Sequence, residues 1–164
     1  IRAALTGHLV FSTLHTNDSA GGVTRLVDMG IEPFLVASSV EALVAQRLVR
    51  RLCPKCKRPW PVEMPFLESI GFPISKLLTG TICEPVGCEE CRGTGYAGRT
   101  GIYEILLVSD VIRQMIVERQ SAADIKSHAL EHGMRTLRMD GWRKVLAGVT
   151  TLEEVLRVTS EDEA

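Results

Sequence analysis

The sequence lacks a long apolar run, an excess of charge of one sign and an export signal. No uninterrupted apolar stretch in its 164 residues approaches the ~18 residues that a membrane-spanning helix needs. The formal net charge of −1 gives no bulk reason to expect nucleic acid or an anionic membrane as a partner. The N-terminal residues carry a charge at Arg2 and then read as folded protein, which is not the pattern of a signal peptide.

An initiator methionine is also missing, and the first residues read as the last turn of a helix, so we expect a fragment of a longer protein. Apolar residues make up 45% of the chain and charged residues 24%, as in soluble globular proteins. The five cysteines are an odd number in a chain without an export signal. This count argues against a disulfide framework and predicts a reducing, cytoplasmic location.

The first third of the chain predicts one strand and two helices. Residues 8–14, "HLVFSTL", are rich in β-branched and aromatic residues and predict a buried strand. A helix then begins near 17–19, where three residues can act as N-cap, and ends at Gly30. Pro33 suits the first turn of a longer helix over about 34–51, which is apolar nearly all round and therefore expected in an interior.

The amino-acid composition changes between residues 52 and 100. Frequent prolines and glycines there allow only short elements, such as a brief helix at 65–71. Regular structure returns at residue 101 with a predicted strand, "GIYEILLV", followed by four helices. Ser121 with Asp124 forms a capping-box pattern at the start of the second of these helices. The last residues, "SEDEA", form an acidic tail that we expect to be disordered.

Two C-x2-C pairs, separated by 31 residues, are the strongest chemical signal in the chain. Their members are Cys53, Cys56, Cys88 and Cys91. A two-residue spacing lets one turn present two sulfurs to one ion, and four thiolates at about 2.3 Å complete a tetrahedral Zn²⁺ site with no open position. The pattern therefore predicts structural zinc, with glycines 93 and 95 allowing the backbone to wrap around the sulfurs. We expect nearby basic residues to offset the thiolate charge: Lys55, Lys57, Arg58 and Arg92.

Other interpretations of the cysteines stay open. Each pair could be a redox C-x-x-C, or a pair of buried thiols without a metal, since the spacing between the pairs exceeds that of the simplest zinc pattern. "CRGTG" also resembles one zinc-binding repeat of the Hsp40 chaperones, although those proteins need several repeats and this chain has one. Cys83 fits neither pair and is expected to be a spare packed thiol.

Further side chains have weaker signals. His8 and His15 lie at the two ends of the predicted strand, where backbone hydrogen bonds satisfy many histidines. The basic residues between 47 and 58 resemble a nucleic-acid patch, but the zinc thiolates are a sufficient reason for them, so we expect no nucleic-acid partner. Arg99 is either a solvated arginine or a partner of Glu104 or of an adjacent subunit. Both tryptophans are expected to be packing residues.

Four stretches occur in an order that resembles a known family: "AALTGHLVFSTLHTNDSAGGVTRLVDMGI", "LVAQRLVRRLCPKC", "CRGTGYAGRTGIYE" and "GMRTLRMDGWRKVLAGVTTLEEVLRVT". Together they resemble the C-terminal part of the type II secretion and type IV pilus assembly ATPases, which are hexameric P-loop motors. The resemblance places the family's His box, a nucleotide-sensing element, on His8 and His15, and its tetracysteine zinc element on the two C-x2-C pairs. Retraction motors typically lack that element, so its presence favours the secretion and assembly branch.

The resemblance implies an α/β fold in three parts. Residues 1–51 would end a RecA-like core, 52–100 would form a zinc-binding subdomain, and 101–164 a helical C-terminal region. The parent would be a cytoplasmic homo-hexamer that contacts inner-membrane secretion platform proteins and uses ATP and Mg²⁺.

One departure from the family pattern decides the activity that we expect of this chain. No G-x-x-x-x-G-K-[ST] occurs, so the loop that cradles phosphates is missing, and the chain alone should not hydrolyse ATP. The family's Walker B and Asp-box carboxylates precede its His box and would likewise lie upstream of residue 1. A free-standing zinc-ribbon interaction module without enzymatic activity is the alternative function.

Overall fold

A computed structural model of the chain describes residues 1–159, and within them eight α-helices, one 3₁₀ helix and four strands follow one another. The elements are α1 (Arg2–Leu5), α2 (Ser19–Asp28), α3 (Pro33–Ser39), β1 (Ala42–Leu52), β2 (Arg58–Pro59), α4 (Met64–Ser69), the 3₁₀ helix (Ile74–Thr79), β3 (Cys83–Glu84), β4 (Tyr96–Leu107), α5 (Asp110–Val117), α6 (Ala122–Glu131), α7 (Leu137–Leu146) and α8 (Leu152–Thr159). The predicted acidic tail lies outside the described residues. Within that part of the chain, no helix has the length and apolar character that crossing a bilayer requires.

The elements form two compact units, each built from two stretches of chain. The first unit contains residues 1–45 and 103–136, and the second contains residues 46–102 and the described residues from 137 onward. Strands β1 and β4 pair in a two-stranded sheet, and the boundary between the units falls within both strands. The division into three parts at 51 and 100 stays a prediction.

The core of the first unit is formed by apolar faces of α2, α3, α5 and α6 together with the end of β4. The buried side chains are Ala20, Val23, Val36, Ala37, Leu106, Val108, Ile112, Met115, Ile116, Ile125 and Ala129. The Arg113 guanidinium links α5 to the end of α3 beside this core. It donates to the Ala37 carbonyl and to Glu41 Oε2, the latter at 3.0 Å. The four helices are therefore held by burial of one apolar stripe each, the usual source of stability for short helices.

Local signals mark the helix ends as the sequence predicts. Asp18 caps α2 by accepting a hydrogen bond from the Gly21 N–H at 2.8 Å. The Ser121–Asp124 capping box is formed at the start of α6. Gly133 follows that helix with φ at +93°, a left-handed conformation that glycine adopts without steric cost.

The second unit has its own core, built on α7 and α8. Trp142, Val145, Leu146, Leu152 and Val155 are buried there together with Leu67, Phe72 and Ile82 from the proline-rich middle of the chain. The Phe72 and Trp142 rings lie 5.2 Å apart between centroids in a tilted arrangement. Trp142 is thus a packing residue, as expected. The apolar side chains of the 60–82 segment are buried against the C-terminal helices.

The predicted helix over 34–51 is wrong beyond its first two turns. Helix α3 ends at Ser39, Val40 is extended, and β1 begins at Ala42. A run that is apolar nearly all round fits a buried helix and a strand equally well, so periodicity could not separate them. Pairing with β4, which begins more than forty residues after the end of β1, makes this run a strand.

The predicted buried strand at residues 8–14 is also wrong. These residues have no regular structure, and Leu9 and Phe11 are 82% and 88% exposed. A strand is stable only when its N–H and C=O groups pair with a neighbour. Among the described residues, none forms a ladder with this segment.

Glu154 joins α8 to β1 within the second unit. It is 1% exposed, and it accepts hydrogen bonds from the Arg50 backbone N–H at 2.8 Å and from both the Arg50 and Arg157 guanidiniums. Burial acts to raise its pKa, but the hydrogen bonds from Arg157 and Arg50 outweigh that effect and lower the pKa of Glu154 to about 2.

We expect Glu154→Gln to reduce the free energy of unfolding at neutral pH by up to about 3 kcal/mol, since each unit of pKa shift corresponds to about 1.4 kcal/mol. Folding lowers this pKa from 4.5 to about 2, so the carboxylate's contribution is complete above pH 4.5 and is lost as the pH falls through about 2. Melting temperatures of the wild type and Glu154→Gln should therefore converge as the pH is lowered from 7 to 3.

The control for this experiment is Glu153→Gln, which removes an exposed carboxylate one residue earlier in the same helix. Its melting temperature should stay close to that of the wild type at every pH. A gap between wild type and Glu154→Gln that is the same at neutral and acid pH would contradict the assignment.

Candidate metal centre

The antiparallel pair β2–β3 brings the two C-x2-C motifs to one place. Arg58 lies opposite Glu84 and Pro59 opposite Cys83, and the ladder continues as the Trp60 N–H donates to the Ile82 carbonyl at 2.9 Å. Cys56 comes two residues before β2, and Cys88 four residues after β3. The short ladder thus closes the 60–82 segment into a loop and leaves the two pairs at its base.

Each pair sits in a tight turn whose hydrogen bonds are the ones expected for a metal-binding knuckle. In the first, the Lys57 N–H donates to the Cys53 carbonyl at 3.0 Å, and in the second the Gly93 N–H donates to the Cys88 carbonyl at 2.9 Å. The Cys53 N–H reaches the Gly95 carbonyl at 2.9 Å and joins the two turns. Gly93 and Gly95 have φ at +77° and +74°, which confirms the prediction that they take conformations most residues avoid.

The four sulfurs converge on one point. Every pair of them lies within 4.8 Å, with Sγ–Sγ distances of 3.9 Å for Cys53–Cys88, 3.8 Å for Cys56–Cys91 and 3.7 Å for Cys88–Cys91. A tetrahedron of sulfurs at 2.3 Å from a central ion has edges of about 3.8 Å. The donor set therefore fits a tetrahedral thiolate-binding cation, and convergence of both pairs is not what two separate redox sites require.

Backbone N–H groups point at two of these sulfurs. Cys91 Sγ accepts from the Cys88 N–H at 3.1 Å and from the Gly95 N–H at 3.2 Å, and Cys56 Sγ accepts from the Gly87 N–H at 3.3 Å. Such donors stabilise thiolate over thiol and spread the negative charge that four cysteines bring to one ion.

Their surroundings shift the pKa of two of the thiols in opposite directions. Burial acts to raise the pKa of Cys91, but the backbone hydrogen bonds around Cys88 and Gly95 and the neighbouring thiols lower it to about 6. Burial and hydrogen bonds with the other three thiols raise the pKa of Cys56 to about 11, against the opposing effect of the Gly87 N–H. Because a cysteine binds a metal as thiolate, binding of a cation at this cluster should depend on pH.

Two of the basic residues expected to offset the thiolate charge are engaged elsewhere. Lys57 Nζ donates to the Gly148 carbonyl at 2.7 Å, and Arg58 Nε donates to Glu84 Oε1 at 2.6 Å. Lys57 therefore joins the first cysteine turn to the turn between α7 and α8, and Arg58 links the two strands of the β2–β3 ladder.

Cys83 lies outside the four-sulfur cluster. It is 7% exposed in β3, and its Sγ lies 3.7 Å from the Thr81 carbonyl. The prediction of a packed thiol is confirmed.

The two histidines lie in the other unit, in the exposed segment before α2. His8 Nδ1 is within hydrogen-bond distance of Thr6 Oγ1 at 3.0 Å and of the Ala3 carbonyl at 3.3 Å, so local backbone satisfies it. His15 is exposed and makes no polar contact with any residue from 1 to 159. The predicted sensing role of both residues stays a prediction.

A second concave surface in the second unit has a volume of about 480 Å³ and is lined by Leu48, Arg50, Arg99, Glu154 and Arg157. Arg50 also lies 4.0 Å above the Tyr96 ring centroid. Of the three arginines, Arg50 and Arg157 both bind Glu154. The surface is therefore chiefly the solvent-facing side of the contact between α8 and β1.

Sequence reasoning missed the setting of Glu104. It considered Glu104 only as a partner of Arg99, whereas Glu104 is 1% exposed and its hydrogen bonds go to Ser19. The sequence does contain a signal for this burial. Side chains two positions apart lie on the same face of a strand, so Glu104 shares the face of Ile102 and Leu106, which are both buried.

The chain matches the family described as type II/IV secretion system protein over residues 1–157. It is 50% identical over 163 residues to the type IV pilus assembly ATPase PilB of Myxococcus xanthus, covering 99% of this chain and 29% of that protein. It is also 50% identical over 162 residues to the type II secretion system protein E of Pseudomonas aeruginosa, covering 99% of this chain and 32% of that protein. The chain spans about a third of the length of these relatives.

We expect the purified chain to contain one zinc ion, because four convergent thiolates form a closed soft-ligand site. Cys53→Ser should lose most of the metal and lower the melting temperature, whereas Cys83→Ser, which changes a buried thiol outside the cluster, should keep the metal. Elemental analysis of the protein after gentle purification measures the metal content, and thermal unfolding with and without a chelator measures the melting temperature. Equal metal content in the two variants would show that the ligands are wrongly assigned.

Proposed function

The chain belongs to the type II/IV secretion system protein family, and from this membership we propose that it is the C-terminal part of a hexameric cytoplasmic ATPase that powers type II protein secretion. The observation that carries the proposal is the continuous match over residues 1–157 together with 50% identity to a type II secretion system protein E. In the complete motor, ATP hydrolysis would move domains against each other and drive pseudopilus assembly and protein export.

Exposed apolar surface in the first unit supports the proposal that this unit ends a RecA-like core. The segment 8–14 has the composition of a strand, yet Leu9 and Phe11 face solvent. On β4, Tyr103, Ile105 and Leu107 are 42%, 48% and 67% exposed. Apolar surface of this kind is normally covered in a complete protein, and further strands of the core would cover it.

ATP and Mg²⁺ would be held by residues that this sequence does not contain, because the phosphate-binding loop pattern is missing from it. The chain would contribute His8 and His15 as sensors of the bound nucleotide. Since His15 makes no polar contact within the described residues while His8 is held by local backbone, His15 is the better placed of the two to reach a nucleotide.

The tetracysteine cluster would bind Zn²⁺ as a structural ion and make the second unit a rigid arm. All four positions are filled by sulfur, so no coordination position is open for substrate or water. Such an arm would contact neighbouring subunits of the homo-hexamer or the inner-membrane secretion platform proteins.

A motor for type IV pilus assembly is the second candidate, because the Myxococcus xanthus relative with that name is equally identical to this chain. A free-standing zinc-ribbon module without enzymatic activity is the alternative from another class. The reading frame upstream of Ile1 separates motor from module, since the motor requires a phosphate-binding loop there.

We expect the 164-residue chain alone to show no ATP hydrolysis above buffer, and the full-length protein encoded by its reading frame to hydrolyse ATP. Release of inorganic phosphate measures both. Hydrolysis by the chain alone, or an upstream frame without a phosphate-binding loop, would contradict the proposed function.

In the full-length protein, His15→Ala should lower kcat while KM for ATP stays within about twofold, because a sensor acts after the nucleotide is bound. His132→Ala is the matched control, since His132 is an exposed histidine of the same unit, at the end of α6, whose Nδ1 lies 2.8 Å from the His128 carbonyl and whose ring stacks on that of His128. Wild-type turnover in His15→Ala would remove the sensing role.

A further inference from the structure

Glu104 is a buried carboxylate that pairs with no lysine or arginine among residues 1–159. Its side chain is 1% exposed, and among the described residues its only hydrogen-bond partner is Ser19. A buried ion without compensation is costly, so buried carboxylates normally have a charged partner or several donors. Glu104 therefore requires a reason for its place in the core of the first unit.

Ser19 supplies both donors to a single oxygen. Its backbone N–H donates to Glu104 Oε1 at 2.9 Å, and its hydroxyl donates to the same oxygen at 2.5 Å. Ser19 is the first residue of α2, whose initial N–H groups have no partner inside the helix. The positive end of a ten-residue helix thus faces the carboxylate and compensates part of its charge.

A second carboxylate secures the same helix start from another element. Asp18 caps α2 through the Gly21 N–H and also forms an ion pair with Lys126 of α6, with Nζ–Oδ2 at 2.9 Å. The first turn of α2 is therefore tied both to β4, through Glu104, and to α6, through Lys126.

The tie lies where the chain changes from exposed to buried. His15 is exposed, Thr16 and Asp18 are half-buried, and Ser19 is 2% exposed. Four residues can span at most roughly 14 Å, so the position of Ser19 limits the positions that His15 can occupy. Residues 9–14, by contrast, form no backbone hydrogen bond with any described residue.

We propose that Glu104 is a positioning residue for His15: by holding Ser19 at the start of α2, it sets the point from which the histidine segment reaches the nucleotide. The inference rests on the proposed function, in which His15 senses that nucleotide. Glu104 itself touches neither substrate nor cofactor, and it acts on turnover only through the fixed end of this segment.

A double-mutant cycle in the full-length protein tests the proposal. The variants are Glu104→Gln, Ser19→Ala, His15→Ala and each of the first two combined with the third. Glu104→Gln keeps an acceptor oxygen but removes the charge, whereas Ser19→Ala removes the hydroxyl and leaves the N–H donor. We expect each of these two single changes to lower kcat several-fold with KM for ATP nearly unchanged, and to lower kcat by less than about twofold when His15 is already alanine.

Asp28→Asn is the matched control, because it removes an exposed carboxylate from the other end of α2. It should leave kcat, KM and melting temperature as in the wild type. Since Glu104→Gln places an amide in a buried site and could unfold the unit, Ser19→Ala provides the same test with a smaller change.

Three outcomes would overturn the proposal, and they differ from one another. In the first, His15→Ala lowers kcat, and Glu104→Gln and Ser19→Ala lower kcat by the same factor whether residue 15 is histidine or alanine. Glu104 then acts on stability alone, and the sensing role survives. Wild-type kcat in both Glu104→Gln and Ser19→Ala likewise removes the positioning role only. If His15→Ala has wild-type kcat, the sensing role fails and the positioning role fails with it.

Discussion

Convergence of four cysteine sulfurs is the constraint on which the second unit depends. Four thiolates whose sulfurs lie 3.7–3.9 Å apart would repel one another, so all four can be ionised together only with a cation between them. The same turns fix the end of β1 and the start of β4, because the Cys53 N–H donates to the Gly95 carbonyl. They also close the 60–82 loop, whose apolar side chains then complete the core on α7 and α8. Cysteine cluster, sheet and helical core in this unit are thus parts of one arrangement.

Sequence reasoning succeeded where the deciding interaction is local. The capping box of Ser121 with Asp124 and the N-cap of α2 each involve residues three positions apart, and both form as predicted. The cysteine cluster was also predictable, although its two halves lie more than thirty residues apart, because each C-x2-C is a local turn and the chemistry of four thiolates requires them to meet.

The failures have the opposite cause. Residues 42–52 are apolar at both helical and strand periods, and only their distant partner β4 makes them a strand. Residues 8–14 carry the composition of a strand, but composition cannot supply the neighbour that a ladder needs, and the described chain does not contain one. The partner of Glu104 could not be predicted for the same reason, since Ser19 is 85 residues away, although the alternation along β4 already indicated that the carboxylate is buried.

The buried anions of this chain share one physical feature. Glu104 accepts from the Ser19 N–H, Glu154 from the Arg50 N–H, and the Cys91 sulfur from the Cys88 and Gly95 N–H groups. Lysine and arginine side chains are flexible and can neutralise a charge from many positions, whereas a backbone donor satisfies an anion only where the chain itself passes. Each of these anions therefore fixes a path of the backbone in addition to balancing charge. A fixed backbone path is needed where an exposed segment joins a core. The start of α2 is such a place, because the exposed histidine segment meets the core of the first unit there.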